Sequence, residues 1–277
     1  MSVSKFVTVN GLRLHYLDFG EPSKPALICI HGLSGNAHNF DGVAAHLAAN
    51  YRVISVDVRG RGDSGWGPAA GYTPLVYLSD LARMLDQLAL RRVTLIGTSM
   101  GGIISMLYAA NHLQRVDRLV LNDVGPEVDS SGLGRIAGYM STRPAGFSNL
   151  AEVAAYFRDN YPALREAPEA DLIQYVKWSV KPTAGGRLTW KMDPTIGESM
   201  RGGPSARPMP LWSTYALIAA PILIVRGAES DILSRATAAR MCKVNPKATL
   251  VEVPGVAHAP SLLEEQALGA ILKFLAR

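Results

Sequence analysis

The sequence predicts an α/β fold: a mostly parallel central sheet with helices on both faces, carrying one helical insertion. Three observations carry this expectation. Short runs rich in Val, Ile and Leu, such as Ala26–Ile30, Val93–Ile96 and Ile222–Val225, read as strands buried on both faces. Stretches with apolar residues at helical spacing alternate with them. From about Glu127 to Trp212 the texture changes to helical patterns broken by glycines and prolines.

With 48% hydrophobic and 18% charged residues over 277 positions, the chain can bury one large core and is not disordered. The net charge of +5 is spread without a run of five basic residues, which excludes a nucleic-acid arm or a polybasic membrane patch. Two cysteines, Cys29 and Cys242, make no disulfide framework, and Cys29 lies in an apolar run as an inert buried thiol. No apolar signal region and no run of about eighteen apolar residues occur, so a soluble cytoplasmic protein that spans no membrane is expected. The oligomeric state stays open between monomer and dimer.

Asn10-Gly11 between two alternating runs, Phe6–Val9 and Leu12–Tyr16, predicts a hairpin, with His15 facing solvent or a neighbouring strand. The strand Ala26–Ile30 leads into the loop His31-Gly32-Leu33-Ser34-Gly35-Asn36, at the sheet edge where open α/β folds bind ligands. His31 reads as a hydrogen-bonded loop anchor rather than a base, and the Leu33 N–H as a donor to a developing oxyanion. A helix over Asn39–Ala49 and a strand over Tyr51–Asp57 follow. Gly60 to Gly65 match G-x-G-x-x-G, but Trp66-Gly67-Pro68 prolong the loop where a dinucleotide site needs a helix to open. A structural loop is therefore expected, and no cofactor is implied. Thr73-Pro74 opens the next helix.

Gly97-Thr98-Ser99-Met100-Gly101 is a G-x-S-x-G between a strand and a helix. A serine on so sharp a turn takes strained backbone angles, and residues two before and two after it must lack bulky side chains. The turn presents the Ser99 hydroxyl at a strand end, and the Met100 N–H points from a helix N-terminus at charge forming beside it. Downstream, a strand over Val116–Val124 carries Asp123 at its end. Helices are expected over Ala151–Asp159 and Asp171–Val180, without clear strands. The aromatic residues of this stretch, among them Tyr139, Tyr156, Tyr161, Trp178 and Trp190, imply an apolar pocket beneath a lid. The strand ending at Gly227 is followed by Asp231, and the last strand, Ala248–Val253, is followed by His258.

A serine hydroxyl needs a base to take its proton, and an imidazole base needs a carboxylate to hold its tautomer. The chain order Ser99, Asp231, His258 suits such a set. At these residues the chain resembles the α/β-hydrolase superfamily over nearly its whole length: His31-Gly32, Asp57-x-Arg59-Gly60-x-Gly62-x-Ser64, Gly97–Gly102, Gly227-x-x-x-Asp231 and Gly255-x-x-His258. The resemblance implies a core of residues 1–126 and 213–277, a lid of residues 127–212, Ser99 as nucleophile, His258 as base and Asp231 as acid. It also implies the N–H groups of Leu33 and Met100 as oxyanion hole. The spacing from Gly227 favours Asp231, while Asp123 occupies a site some relatives use and would otherwise anchor the lid entry. Ser99 in place of an aspartate argues against epoxide hydrolase and dehalogenase chemistry. The expected activity is cleavage of small-molecule carboxylic esters with small or medium apolar acyl groups, with no metal or organic cofactor. C–C bond hydrolase, lactonase and perhydrolase chemistry and a non-catalytic small-molecule receptor stand as alternatives.

Overall fold

The computed structural model describes residues 2–198 and 210–276, so part of the expected lid, 199–209, lies outside the described residues. Strands β1 (Val3–Val9) and β2 (Leu12–Phe19) form the expected hairpin, with Asn10 and Gly11 at φ 49° and 76°. Both angles suit a turn whose twist matches that of the strands. Then come β3 (Ala26–Ile30), α1 (Asp41–Leu47), β4 (Arg52–Val56), α2 (Pro74–Gln87), β5 (Val93–Thr98), α3 (Met100–Asn111) and β6 (Val116–Asn122). The insertion follows with α4 (Ser130–Ser141), α5 (Leu150–Asn160), α6 (Glu169–Val176), β7 (Val180–Pro182), β8 (Leu188–Trp190) and α7 (Thr195–Glu198). The chain closes with α8 (Trp212–Ala216), β9 (Ile222–Gly227), α9 (Arg235–Val244), β10 (Ala248–Val253) and α10 (Glu265–Leu275).

Eight strands form one sheet in the order β1-β2-β4-β3-β5-β6-β9-β10. The first two pairings, β1 with β2 and β2 with β4, are antiparallel, and every later one is parallel. Alternate side chains sort onto opposite faces. Ile28, Ile30, Leu95, Leu119 and Ile224 pack towards α2, α3 and α9. Leu27, Cys29, Ile96, Val120 and Val225 pack towards α1 and α10. Two-sided burial explains why the parallel strands read as unbroken apolar runs. Cys29 is fully buried, and desolvation raises its thiol pKa, as an inert core residue requires. No helix among the described residues is long and apolar enough to cross a membrane.

The insertion has an apolar cluster of its own, in which Phe157, Leu172 and Val176 are almost wholly buried. Its two ends meet where the Leu211 N–H donates to the Pro126 carbonyl at 2.7 Å. The insertion does contain strands: β7 and β8 pair antiparallel, contrary to the helix-only expectation. Their three-residue length and the intervening Thr183–Gly186 turn leave no readable alternation in the sequence.

Of the two expected positions for His15, the structure takes the neighbouring strand: the ring is buried and its Nε2 lies 2.9 Å from Ser4 Oγ of β1. β2 lies between β1 and β4, and the loop after β4 folds over it. The His15 ring donates from Nδ1 to Asp57 Oδ2 at 2.6 Å. Asp57 also accepts from the N–H groups of Ala37 (2.6 Å) and Asp63 (2.8 Å). A Cβ at Gly62 would overlap the Asp57 carboxylate, so the glycine-rich loop wraps a side chain and not a phosphate. Arg59 in the same loop makes a buried two-point ion pair with Asp80 of α2. These contacts hold the loops after β3 and β4 together at the carboxyl edge.

Burial alone would raise the Asp57 pKa, but the His15 hydrogen bond, the nearby His31 and the Asp63 N–H hold it below the ordinary carboxylate value. Its contribution to stability is therefore fully present above the unfolded value of about 4 and is lost as pH falls through the lower folded value. Asp57→Asn should cost about 3 kcal/mol near neutrality. It should also reduce the drop in urea midpoint between about pH 6 and about pH 3. Parallel urea titrations of the two proteins check both outcomes.

Candidate active site

Ser99 stands between β5 and α3 with φ 52° and ψ −116°, a conformation that L-residues rarely adopt. Close approach of the helix to the sheet imposes it. A Cβ at Gly101 would overlap the Ile30 carbonyl, and one at Gly97 would overlap the Gly101 backbone. Gly102 packs against Val124 in the same way. The steric role expected of the flanking glycines is thus met. The Ser99 N–H donates to the Asn122 carbonyl at 3.0 Å, which ties the turn to the end of β6.

His258 follows β10 and reaches Ser99: His258 Nε2 and Ser99 Oγ are 3.0 Å apart. The other ring nitrogen, Nδ1, lies 2.8 Å from Asp123 Oδ2. A carboxylate only accepts, so Nδ1 carries the proton and Nε2 is left to accept from the hydroxyl. Asp123 is fully buried at φ 55°, and its Oδ1 accepts the Gly227 N–H at 3.0 Å.

The expected partner of His258 is therefore corrected from Asp231 to Asp123. Asp231 lies near enough to His258 to feel its charge, but its carboxylate is claimed by Arg135 of α4. Arg135 Nε and Nη2 donate to the two Asp231 oxygens at 2.6 and 2.8 Å. That two-point hydrogen bond, outweighing partial burial, lowers the Asp231 pKa. Gly227, which in sequence points to Asp231, in space orients Asp123.

The N–H groups of Leu33 and Met100 flank this set and donate to no backbone carbonyl among the described residues. Arg61, which the sequence reading did not single out, is fully buried and ties their two segments together. Its Nε donates to the Leu33 carbonyl at 3.0 Å, and its Nη2 reaches Met100 Sδ at 3.5 Å. Tyr77 Oη accepts a third bond at 2.9 Å. Only its place in a glycine-rich loop signalled it. His31 is a loop anchor, as expected: the Val58 N–H donates to Nε2 at 3.0 Å, and Nδ1 donates to the Gly32 carbonyl. Burial pulls its pKa down to about 4, so the ring is neutral near pH 7.

The insertion covers this edge. Leu33 packs into a cluster with Tyr139, Met140, Met192 and Tyr161, and the Tyr161 hydroxyl donates to Ser34 Oγ at 2.9 Å. Among the described residues, one group has the spacing of metal ligands: His15, Asp57 and Asp63. Its central pair is already joined by the short hydrogen bond that organises the loops.

Residues 25–265 match the family model for the alpha/beta hydrolase fold. The chain belongs to the α/β-hydrolase family. It is 36% identical over 267 residues to a 3-hydroxybutyrate-oligomer hydrolase of Cupriavidus necator, covering 91% of this chain and 89% of that protein. It is 28% identical over 275 residues to the 2-(acetamidomethylene)succinate hydrolase of Mesorhizobium japonicum, covering 99% and 95%. A crystal structure of an α/β hydrolase from Novosphingobium aromaticivorans superposes with a TM-score of 0.91 at 35% identity, covering 99% of this chain and 98% of that one.

The proton between His258 Nδ1 and Asp123 should give a low-field proton resonance in NMR spectra. Asp123→Asn should abolish it and Asp231→Asn should leave it in place. Loss in Asp231→Asn alone would reverse the pairing described above.

Proposed function

We propose that this α/β hydrolase cleaves carboxylic esters through an acyl-enzyme formed on Ser99. The unbroken hydrogen-bond path from Asp123 through His258 to Ser99 carries this reading. As Ser99 Oγ attacks the ester carbonyl, its proton passes to His258 Nε2. The imidazolium that forms is stabilised by the buried Asp123 carboxylate, which stays ionised. The N–H groups of Leu33 and Met100 donate to the oxyanion, each contributing about 3 kcal/mol at the tetrahedral stage. The imidazolium then returns its proton to the leaving alkoxide. Water, deprotonated by the same nitrogen, attacks the acyl-serine and releases the acid.

An ester suits this machinery because an alkoxide leaves more readily than an amine. The described part of residues 127–212 acts as the lid of the site, and Tyr139 and Tyr161 give it an aromatic face suited to small or medium apolar acyl groups. Support comes from the cluster that packs Tyr139 and Tyr161 against Leu33. The 36% identity to a 3-hydroxybutyrate-oligomer hydrolase also favours ester chemistry. The two-point bond between Arg135 and Asp231 fastens α4 of this lid to the core.

With 4-nitrophenyl butyrate as substrate, Ser99→Ala should abolish both turnover and labelling by a fluorophosphonate. Asp123→Asn should lower kcat by about 10⁴-fold, because the imidazole then holds the wrong tautomer. Asp231→Asn should cost no more than about 10-fold, since it loosens a lid contact that is partly exposed. Comparable losses in the two Asn variants, or an unlabelled Ser99 in the wild type, would overturn the mechanism.

A further inference from the structure

A small cleft opens at the loop that follows β3. It is lined by Ser34, Arg143, Tyr161, Ser179, Trp190 and Lys191, among others. Arg143 follows α4 in the insertion and is half-buried. Its guanidinium lies over the Trp190 ring, 4.1 Å from the centroid. Stacking of this kind holds the guanidinium by its face and leaves its edge N–H groups free for a planar acceptor. Among the described residues no Asp or Glu pairs with Arg143.

Among the described residues, the neighbours do not neutralise it either. Tyr139, Tyr156 and Tyr161 are the groups whose charge Arg143 feels most favourably, yet burial raises the pKa of all three, so they stay neutral phenols. Fully buried Arg61 adds a like charge from the core side. Lys191 spends its charge on Asp63 at 2.8 Å, at the exposed rim. A positive cleft of this kind, half-closed and walled by aromatic rings, suits one carboxylate.

We infer that Arg143 binds a carboxylate of the substrate, so that the preferred acyl group is apolar along its chain and ends in a free acid. The ester part of this inference rests on the proposed function, while the anion site rests on the cleft alone. Leu33 holds the carbonyl oxygen, and the adjacent Ser34 lines the cleft with Arg143. Neighbouring residues are ~3.8 Å apart, so the cleft begins beside the proposed oxyanion donor. The hydroxyls of Ser34 and Ser179 supply further hydrogen bonds to the anion.

Two probes test the inference on the full-length protein. The first compares 4-nitrophenyl hydrogen glutarate with uncharged 4-nitrophenyl valerate. The wild type should favour the charged ester in kcat/KM by at least about 10-fold, and Arg143→Gln should remove most of that preference, chiefly through KM. Arg143→Lys should restore part of it, since it keeps the charge and loses the fork. Equal handling of both esters by the wild type, or an unchanged preference in Arg143→Gln, would overturn the inference and leave the esterase reading standing.

The second probe is calorimetric titration with glutarate, which needs no catalysis. Binding to the wild type that is lost in Arg143→Gln, with an unchanged melting temperature, supports the anion site even if neither ester is cleaved. Absence of binding to the wild type overturns it. A failure of the esterase reading shows separately, as a Ser99 that no fluorophosphonate labels.

Discussion

Everything at the carboxyl edge depends on how closely α3 approaches the sheet. Gly101 lies against the Ile30 carbonyl, and Gly97 lies against Gly101 itself. That contact leaves the chain no relaxed route from β5 into α3, so Ser99 takes a strained backbone and its hydroxyl faces outward. The cost is spread over a rigid parallel sheet whose central strands are buried on both faces. A looser fold would relax the turn and withdraw the hydroxyl from His258.

The strained turn is one of three anchored loops. Asp57 holds the loops after β3 and β4 through four hydrogen bonds from His15, Ala37 and Asp63 and, by way of its backbone carbonyl, from Ser64. Arg61 then joins the loop after β4 to the carbonyl of Leu33 and the sulfur of Met100. A buried arginine without a carboxylate partner is costly unless its donors are satisfied. Here they are spent on the segments of Leu33 and Met100, so the same bonds that solvate the guanidinium fix the spacing of the site. The insertion completes the arrangement from above, with Tyr161 on Ser34 and Arg135 on Asp231.

Much of this was legible in the residues. Continuous apolar runs marked the parallel strands, Asn10-Gly11 marked the hairpin, and the glycines around Ser99 marked the turn. The insertion was less legible. Helix α4 contains Gly132, Gly134 and Gly138, whose low helix propensity hides it from a pattern search. Packing explains one of them, since a Cβ at Gly132 would overlap the Asp231 carbonyl. Missing α4 meant missing Arg135, and with it the reason why Asp231 is occupied elsewhere. The sequence left His15 open between solvent and a neighbouring strand because alternation within a strand does not report a loop that returns to cover it.

By itself, the sequence determined the fold class, the strained turn that presents Ser99 and the imidazole that meets it, because each is written in local pattern: apolar period, glycine spacing, a histidine just past the last strand. Which carboxylate faces that imidazole was decided only in three dimensions. Asp123 and Asp231 both follow adjacent strands, and a separation along the chain does not encode the direction in which a side chain leaves the sheet edge. The positive φ at Asp123 and the N–H of Gly227 turn one carboxylate inward, while Arg135 draws the other towards the insertion.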